Sequence, residues 1–86
     1  MAEGTLSRAK NDYAIAIGAR TNVLADYGIG LGYASLVEAY GGVALGVGSH
    51  VNADALNAIA IGSGSLADRA NTLSIGKADH ERQITL

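Results

Sequence analysis

Three sets of residues have types and spacings from which ligand binding or catalysis could be built: two glycine-rich segments, three aspartates and two histidines. The glycine-rich segments are Gly28-Ile29-Gly30-Leu31-Gly32 and Gly62-Ser63-Gly64. Such loops cradle phosphates through backbone N–H groups, but neither segment fits GxGxxG or the P-loop, and no lysine follows at the required place. The sequence therefore predicts no nucleotide site.

The aspartates Asp12, Asp26 and Asp54 each lie eight residues after a glycine, in a column that Tyr40 interrupts. Calcium-binding rolls place their aspartates beside the glycines of a shorter repeat of roughly nine residues. We therefore interpret these carboxylates as turn-forming rather than metal-binding, and we predict no metal and no cofactor.

The two histidines are not placed as general bases. His50 lies in a variable, exposed column and His80 follows the last repeat. No Ser/His/Asp set or carboxylate pair can be argued either, so we predict no catalytic residue and conclude that the chain is not an enzyme.

Composition excludes several other classes. The net charge is −2 without a basic stripe, so we expect no nucleic-acid partner. Cysteine is absent, which excludes disulfides and thiolate metal sites. No apolar run is long enough to cross a membrane as a helix, and the first ten residues lack the apolar core of a signal peptide. If the protein works outside a cell, its export and anchoring parts lie elsewhere.

A repeat of 14 residues positions all of these side chains. Five copies of a short phrase end at Gly18, Gly32, Gly46, Gly62 and Gly76, in steps of 14, 14, 16 and 14, and Gly4 begins a partial unit. Five copies in 86 residues indicate a repeat protein. The two extra residues of the longer unit are predicted to bulge from a turn around Ala55 and Leu56.

Each unit begins with a strand that has one aliphatic face and one small face. Alternation with a period of two predicts a β-strand whose aliphatic side chains fill the interior; these are Ile15, Ile17, Ile29, Leu31, Val43, Leu45, Ile59, Ile61, Leu73 and Ile75. A second strand follows the glycine, with its hydroxyl column inward and a variable outer face. Stacking the units about 4.8 Å apart makes two parallel sheets back to back.

The small face suggests assembly. A thin roll without Phe or Trp should be marginal alone, and packing small faces around a symmetry axis would stabilise it. We therefore predict a homo-oligomer with an interface at Ala14, Ala16, Gly28, Gly30, Gly42, Ala44, Ala58, Ala60, Thr72 and Ser74.

The repeated phrases, among them Ala14-Ile15-Ala16-Ile17-Gly18, resemble the head repeats of trimeric autotransporter adhesins of the YadA type. A second phrase strengthens the resemblance: residues 68–76, DRANTLSIG, and residues 81–85, ERQIT, are similar to the neck motif DRANTVSVG…ERQIT. Leu86 departs from the polar residue expected there. The resemblance implies an all-β, left-handed parallel β-roll that is homotrimeric, with head repeats over residues 1–76 and the start of the neck at 77–86.

The resemblance also implies a function. Heads of this family are displayed on the bacterial surface above an outer-membrane anchor, which is absent from this chain, and attach to host extracellular matrix or host cells. By analogy Arg69, Glu81, Arg82 and Gln83 would make inter-chain contacts in the neck. The adhesive surface would lie on the outer strand, at Asn22, Leu24, Leu36, Glu38, His50, Asn52 and Leu66. The alternative is a rigid spacer within a larger adhesin whose binding region lies elsewhere.

Overall fold

The computed structural model describes residues 1–85 as two parallel β-sheets. The first sheet contains β1 (Ala2–Glu3), β3 (Ile15–Ile17), β5 (Ile29–Leu31), β7 (Val43–Leu45), β9 (Ile59–Ile61) and β11 (Leu73–Ser74). The second contains β2 (Arg8–Ala9), β4 (Asn22–Val23), β6 (Leu36–Val37), β8 (His50–Val51) and β10 (Leu66–Ala67). Within this range there is no helix, and hence no helical segment that could cross a membrane.

Each strand pairs with the strand one coil further on, where a coil is one turn of the chain around the roll. Ile15 is the register partner of Ile29 and Ala44 that of Ala60, so the longer coil leaves the first sheet in register. Hydrogen bonds between coils continue outside the strands, as from Gly32 N–H to the Ile17 carbonyl at 2.9 Å. The predicted solenoid of about five turns with parallel strands is confirmed.

Small side chains fill the interior of the roll. The first sheet contributes alanines that are at most 2% exposed, and the second contributes the fully buried Val23, Val37 and Val51. The prediction that the aliphatic columns fill the interior is wrong, because their side chains point outward and are half-buried or exposed. The interior columns of the first sheet are those that we assigned to an interface: Ala14, Ala16, Gly28, Gly30, Gly42, Ala44, Ala58 and Ala60 are buried within one chain, and Thr72 and Ser74 are half-buried.

The reason for this reversal is the close approach of the two sheets. A Cβ added to Gly28 would lie 2.7 Å from Val23 Cγ1, and one added to Gly42 would lie 2.9 Å from Val51 Cγ1. Since real Cβ contacts are longer than this, an isoleucine has no room opposite the valines. Only Ala and Gly occupy the fully buried positions of these columns, and the larger aliphatic residues must occupy the outer face.

The hydroxyl column faces inward, as predicted. Thr21, Ser35, Ser49 and Ser65 are fully buried, and their hydroxyls donate to backbone carbonyls at the adjoining turn, as from Ser49 Oγ to the Gly46 carbonyl at 2.9 Å. Each buried hydroxyl is thus hydrogen-bonded, as burial requires. The column stabilises the turn at which the chain passes from the first sheet to the second.

Two turns complete each coil, and both contain a left-handed residue. The glycine turn follows β1, β3, β5, β7 and β9; its glycines have φ of 110° to 128°. Two residues later stand Leu6, Arg20, Ala34, Gly48 and Gly64 with φ of 59° to 71°. The return turn precedes β3, β5, β7, β9 and β11, with φ of 58° to 68° at Tyr13, Tyr27, Gly41, Asn57 and Asn71. The glycines recur in the sequence because the backbone of the glycine turn requires a positive φ at that position.

The two extra residues of the longer coil are Ala53 and Asp54, not Ala55 and Leu56. Ala55 is fully buried, and its carbonyl accepts from Ala58 N–H at 3.2 Å, as the Ala39 carbonyl accepts from Gly42 N–H one coil earlier. Ala53 and Asp54 are exposed in the turn that precedes it. Asp54 therefore lies outside the column of Asp12 and Asp26, a correction to the predicted alignment.

We expect Gly32→Ala to lower the free energy of unfolding by about 3 kcal/mol or more. Its φ is 128°, and an added Cβ would lie 2.7 Å from the carbonyl group of Gly46 in the next coil. Gly48→Asn is the control, because its φ of 68° is accessible to Asn and no atom lies within 4 Å of the added Cβ. Denaturant unfolding at equal protein concentration measures both. Equal losses in the two variants would contradict the role given to the glycine ladder.

Candidate functional site

The candidate site is a set of surfaces rather than a catalytic cavity. Within residues 1–85 no group of three or more His, Cys, Asp or Glu side chains is arranged to hold a metal ion. Asp26 Oδ1 accepts a hydrogen bond from the backbone N–H of Asp12 at 3.2 Å, one coil away. This contact fits the turn-forming role that the sequence predicts for the Asp26 carboxylate; Asp12 takes part through its backbone N–H.

The outward side of the first sheet is a continuous apolar surface, which we call the aliphatic face. It consists of the two outward columns that were expected inside. Ile61 is 41% and Leu73 is 58% exposed, and the other members are half-buried. Five strands at the usual spacing make this face about 20 Å long. An exposed apolar surface of that extent is typical of a protein–protein interface.

A tyrosine ladder, Tyr13, Tyr27 and Tyr40, runs along the return turn at one edge of the aliphatic face. The rings of Tyr13 and Tyr27 are stacked with centroids 5.1 Å apart, and Tyr40 meets Tyr27 edge-on at 5.3 Å. All three side chains are at least half exposed. The 14-residue repeat alone aligns Tyr13 with Tyr27. Tyr40 lies one position away in its repeat, so the repeat does not predict that it joins the ladder.

The outward side of the second sheet, which we call the outer polar face, brings together the predicted adhesive residues. Neighbouring strands place Asn22 beside Leu36, Leu36 beside His50 and His50 beside Leu66. Two residues further along three of these strands stand Leu24, Glu38 and Asn52. The structure thus unites all seven on one surface; their adhesive role stays a prediction.

Two polar features mark this outer polar face. Glu38 Oε1 and His50 Nε2 lie 2.8 Å apart on successive coils, with about a third of each side chain exposed. Asn22 Oδ1 is buried and has no hydrogen-bond partner among the described residues. The face therefore offers an exposed polar pair to a partner, whereas the unsatisfied Asn22 oxygen is buried beneath the surface.

Of the four predicted neck residues, Arg82 bonds within its own chain. Its guanidinium donates to Ser63 O at 2.6 Å, Ser65 Oγ at 3.1 Å and Ile75 O at 3.2 Å. Arg69, Glu81 and Gln83 are exposed, and inter-chain contacts through them stay a prediction. Residue 86 of the predicted neck lies outside the described residues.

Arg82 supplies a donor that the next coil would otherwise provide. In earlier coils the carbonyl equivalent to that of Ser63 accepts a backbone N–H from the following coil, as Val47 O accepts from Gly64 at 2.8 Å. Among the described residues, the chain after β11 does not form another glycine turn with positive φ, and the guanidinium of Arg82 donates to the Ser63 carbonyl instead. A charged side chain that covers open strand edges is a known way to end a sheet. The sequence contains no periodic signal for this cap.

The comparisons with known proteins agree with this architecture. The family model of the YadA head domain repeat matches the chain in two copies, over residues 1–21 and 53–77, which make up more than half of its length. No curated protein matches the sequence.

We expect Arg82→Ala to loosen the last coil without unfolding the others. Losing charge-assisted hydrogen bonds at this end should speed amide exchange at Gly64 and Leu66 about tenfold, while the amides of Leu31 and Gly32 stay protected. Arg69→Ala is the control, because the Arg69 guanidinium has no hydrogen-bond partner in the described part of the chain. Hydrogen exchange resolved by residue measures both variants, and unchanged exchange in Arg82→Ala would refute the cap.

Proposed function

The chain belongs to the YadA head domain repeat family, and on that premise we propose that it forms the head of a trimeric autotransporter adhesin that attaches bacteria to host extracellular matrix or host cells. The observation that carries the proposal is the family match over more than half of the chain. The solenoid of parallel strands supports it, because repeat solenoids commonly present extended binding surfaces.

Membership of this adhesin family also bears on location and boundaries. It implies display at the outer-membrane surface, with the head facing outward. Residues 1–76 would form the head, and the segment from residue 77 would begin the neck. Arg82 supports a boundary here, because its cap ends the stack of coils after β11.

The aliphatic face is the proposed trimer interface, in place of the small columns that the sequence suggested. Those small side chains are buried inside one chain and are not available to a partner. The aliphatic side chains remain partly exposed in a single chain, so burying them against two copies would be favourable. We propose three copies of the chain in this assembly because the family is homotrimeric.

The outer polar face is the proposed adhesive surface. It lies on the sheet opposite the aliphatic face, so three chains that meet through the aliphatic face would present three outer polar faces to solvent. Three identical surfaces give avidity without strong single contacts. Polar side chains around an exposed leucine, here Leu24 beside Glu38 and Asn52, are suited to a protein contact that includes bridging water.

We expect the wild-type chain to have a solution mass about three times its 8.7 kDa by light scattering after size exclusion. Val43→Glu would bring three unpaired charges together at the interface and should abolish the trimer. Ala44→Glu, one residue along the same strand, would put a charge inside the roll and should unfold the chain at any concentration. Asn52→Glu, on the outer polar face, is the control and should stay trimeric. A trimer that survives Val43→Glu would refute the interface.

Adhesion is tested by solid-phase binding of the trimer to collagen, fibronectin and laminin and to host cells. We expect the triple variant Leu36→Ala, His50→Ala, Asn52→Ala to weaken binding at least tenfold while the solution mass is unchanged. Asp54→Ala, in the exposed bulge, is the control and should bind normally. Unimpaired binding by the triple variant would refute the placement of the adhesive surface. No binding by the wild-type trimer would favour the rigid spacer.

A further inference from the structure

Exposed large apolar side chains also lie beyond the aliphatic face, on the two turns that border it. The return turn carries the tyrosine ladder and Leu56, and the glycine turn carries Leu6, Tyr33 and Val47. On the outer polar face, among the described residues, Leu24 is the one large apolar side chain that is more than a third exposed. The apolar surface therefore extends around both edges of the first sheet and stops at the second.

The two turns lie on opposite sides of the aliphatic face. Strand β5 begins two residues after Tyr27 and ends two residues before Tyr33. The three extended residues of β5 alone span roughly 10 Å, and a turn lies between each end of the strand and its tyrosine. A closed ring of three copies joins unlike surfaces, so one edge of each copy must meet the other edge of its neighbour. The return turn and the glycine turn are these two edges.

Large apolar side chains occupy both turns in two consecutive coils of the roll. In the coil of β5 the edges carry Tyr27 and Tyr33, and in the coil of β7 they carry Tyr40 and Val47. In the coil of β9 the return turn carries the exposed Leu56 followed by Asn57, and the glycine turn carries Ser63. Rotation about an axis parallel to the roll joins residues at the same height, so large apolar edges meet in the coils of β5 and β7.

The backbone gives a second, independent indication that the tyrosine rings of the ladder contact another chain. Tyr13 and Tyr27 have φ of 59° and 60°, a left-handed conformation that is unfavourable for a bulky side chain. Later coils place Asn57 and Asn71 at the same position with φ of 58°, and Asn adopts this conformation more readily. Tyrosine is therefore present where the turn itself favours another residue.

We propose that the tyrosine ladder of one copy packs against the glycine turn of the next copy, with Tyr27 facing Tyr33 and Tyr40 facing Val47, and that this contact forms the seam between neighbouring chains. The seam rests on the proposed trimer and adds a second contact to the aliphatic face. Aromatic pairs contribute beyond the area that they bury, and a seam of unlike edges also fixes the register of the three chains.

Crosslinking locates the seam directly, because the natural sequence contains no cysteine. In the double variant Tyr27→Cys, Tyr33→Cys, a short bismaleimide should convert the trimer into covalent dimers and trimers on a denaturing gel. The two positions of one chain lie too far apart for that reagent, so every link is between chains. Tyr27→Cys, Leu24→Cys is the control and should stay monomeric on the gel. Absence of covalent oligomers from a trimeric Tyr27→Cys, Tyr33→Cys protein would overturn the seam.

A second variant tests the energetics without disturbing the turn. Tyr27→Asn and Tyr40→Ala introduce the residue types found at the same positions in later coils, at Asn57 and Ala70. We expect the pair to raise the protein concentration at which the trimer dissociates at least tenfold, with an unchanged circular dichroism spectrum. Leu24→Asn is the control. An unaltered dissociation concentration would refute the seam and leave the proposed trimer intact, whereas a monomeric wild-type protein would refute the proposed trimer itself.

Discussion

The close approach of the two sheets is the constraint on which the other features of this structure depend. Valines of the second sheet come so near the first sheet that a Cβ at Gly28 or Gly42 would already clash. The interior consequently accepts Ala, Gly, Ser and Val and little else. Such an interior buries few apolar atoms per residue, so hydrogen bonds between coils and the fixed backbone of the turns carry an unusually large share of the specificity of the fold.

The same constraint sends the larger aliphatic residues outward, where a single chain cannot cover them. In the proposed trimer the first sheet would therefore face a partner chain and the second sheet would face solvent, on opposite sides of one thin roll. Side chains on the outer polar face are free to vary, because the coils stack mainly through their backbones. One repeated position on this face accordingly holds side chains of very different chemistry: Arg8, Asn22, Leu36, His50 and Leu66.

Much of this architecture could be predicted from the sequence, because the 14-residue repeat determines which residues stack and alternation determines which share a face. Alternation alone does not determine which face of a strand points inward. Large aliphatic residues usually point inward, and this general preference assigned the wrong face of the first sheet to the interior. The glycines at 28, 30 and 42 are the signal in the sequence of a crowded interior. The inserted residues were misplaced because Ala53 and Ala55 are the same residue type, and the Arg82 cap has no counterpart in earlier coils from which to predict it.

The longer coil coincides with a change in the character of the roll. After the Ala53–Asp54 bulge, the left-handed position of the return turn carries Asn57 and Asn71, where the first coils carry tyrosine. At the glycine turn, the left-handed position carries glycine from Gly48 onward. Ile61 and Leu73 are also among the most exposed members of the aliphatic face. An apolar seam that ends at this level would leave the last coils joined by smaller and more polar contacts. In the proposed trimer, that arrangement would suit the passage of three chains from the head into the proposed neck, because polar contacts tolerate a change of spacing through bridging water better than stacked rings do.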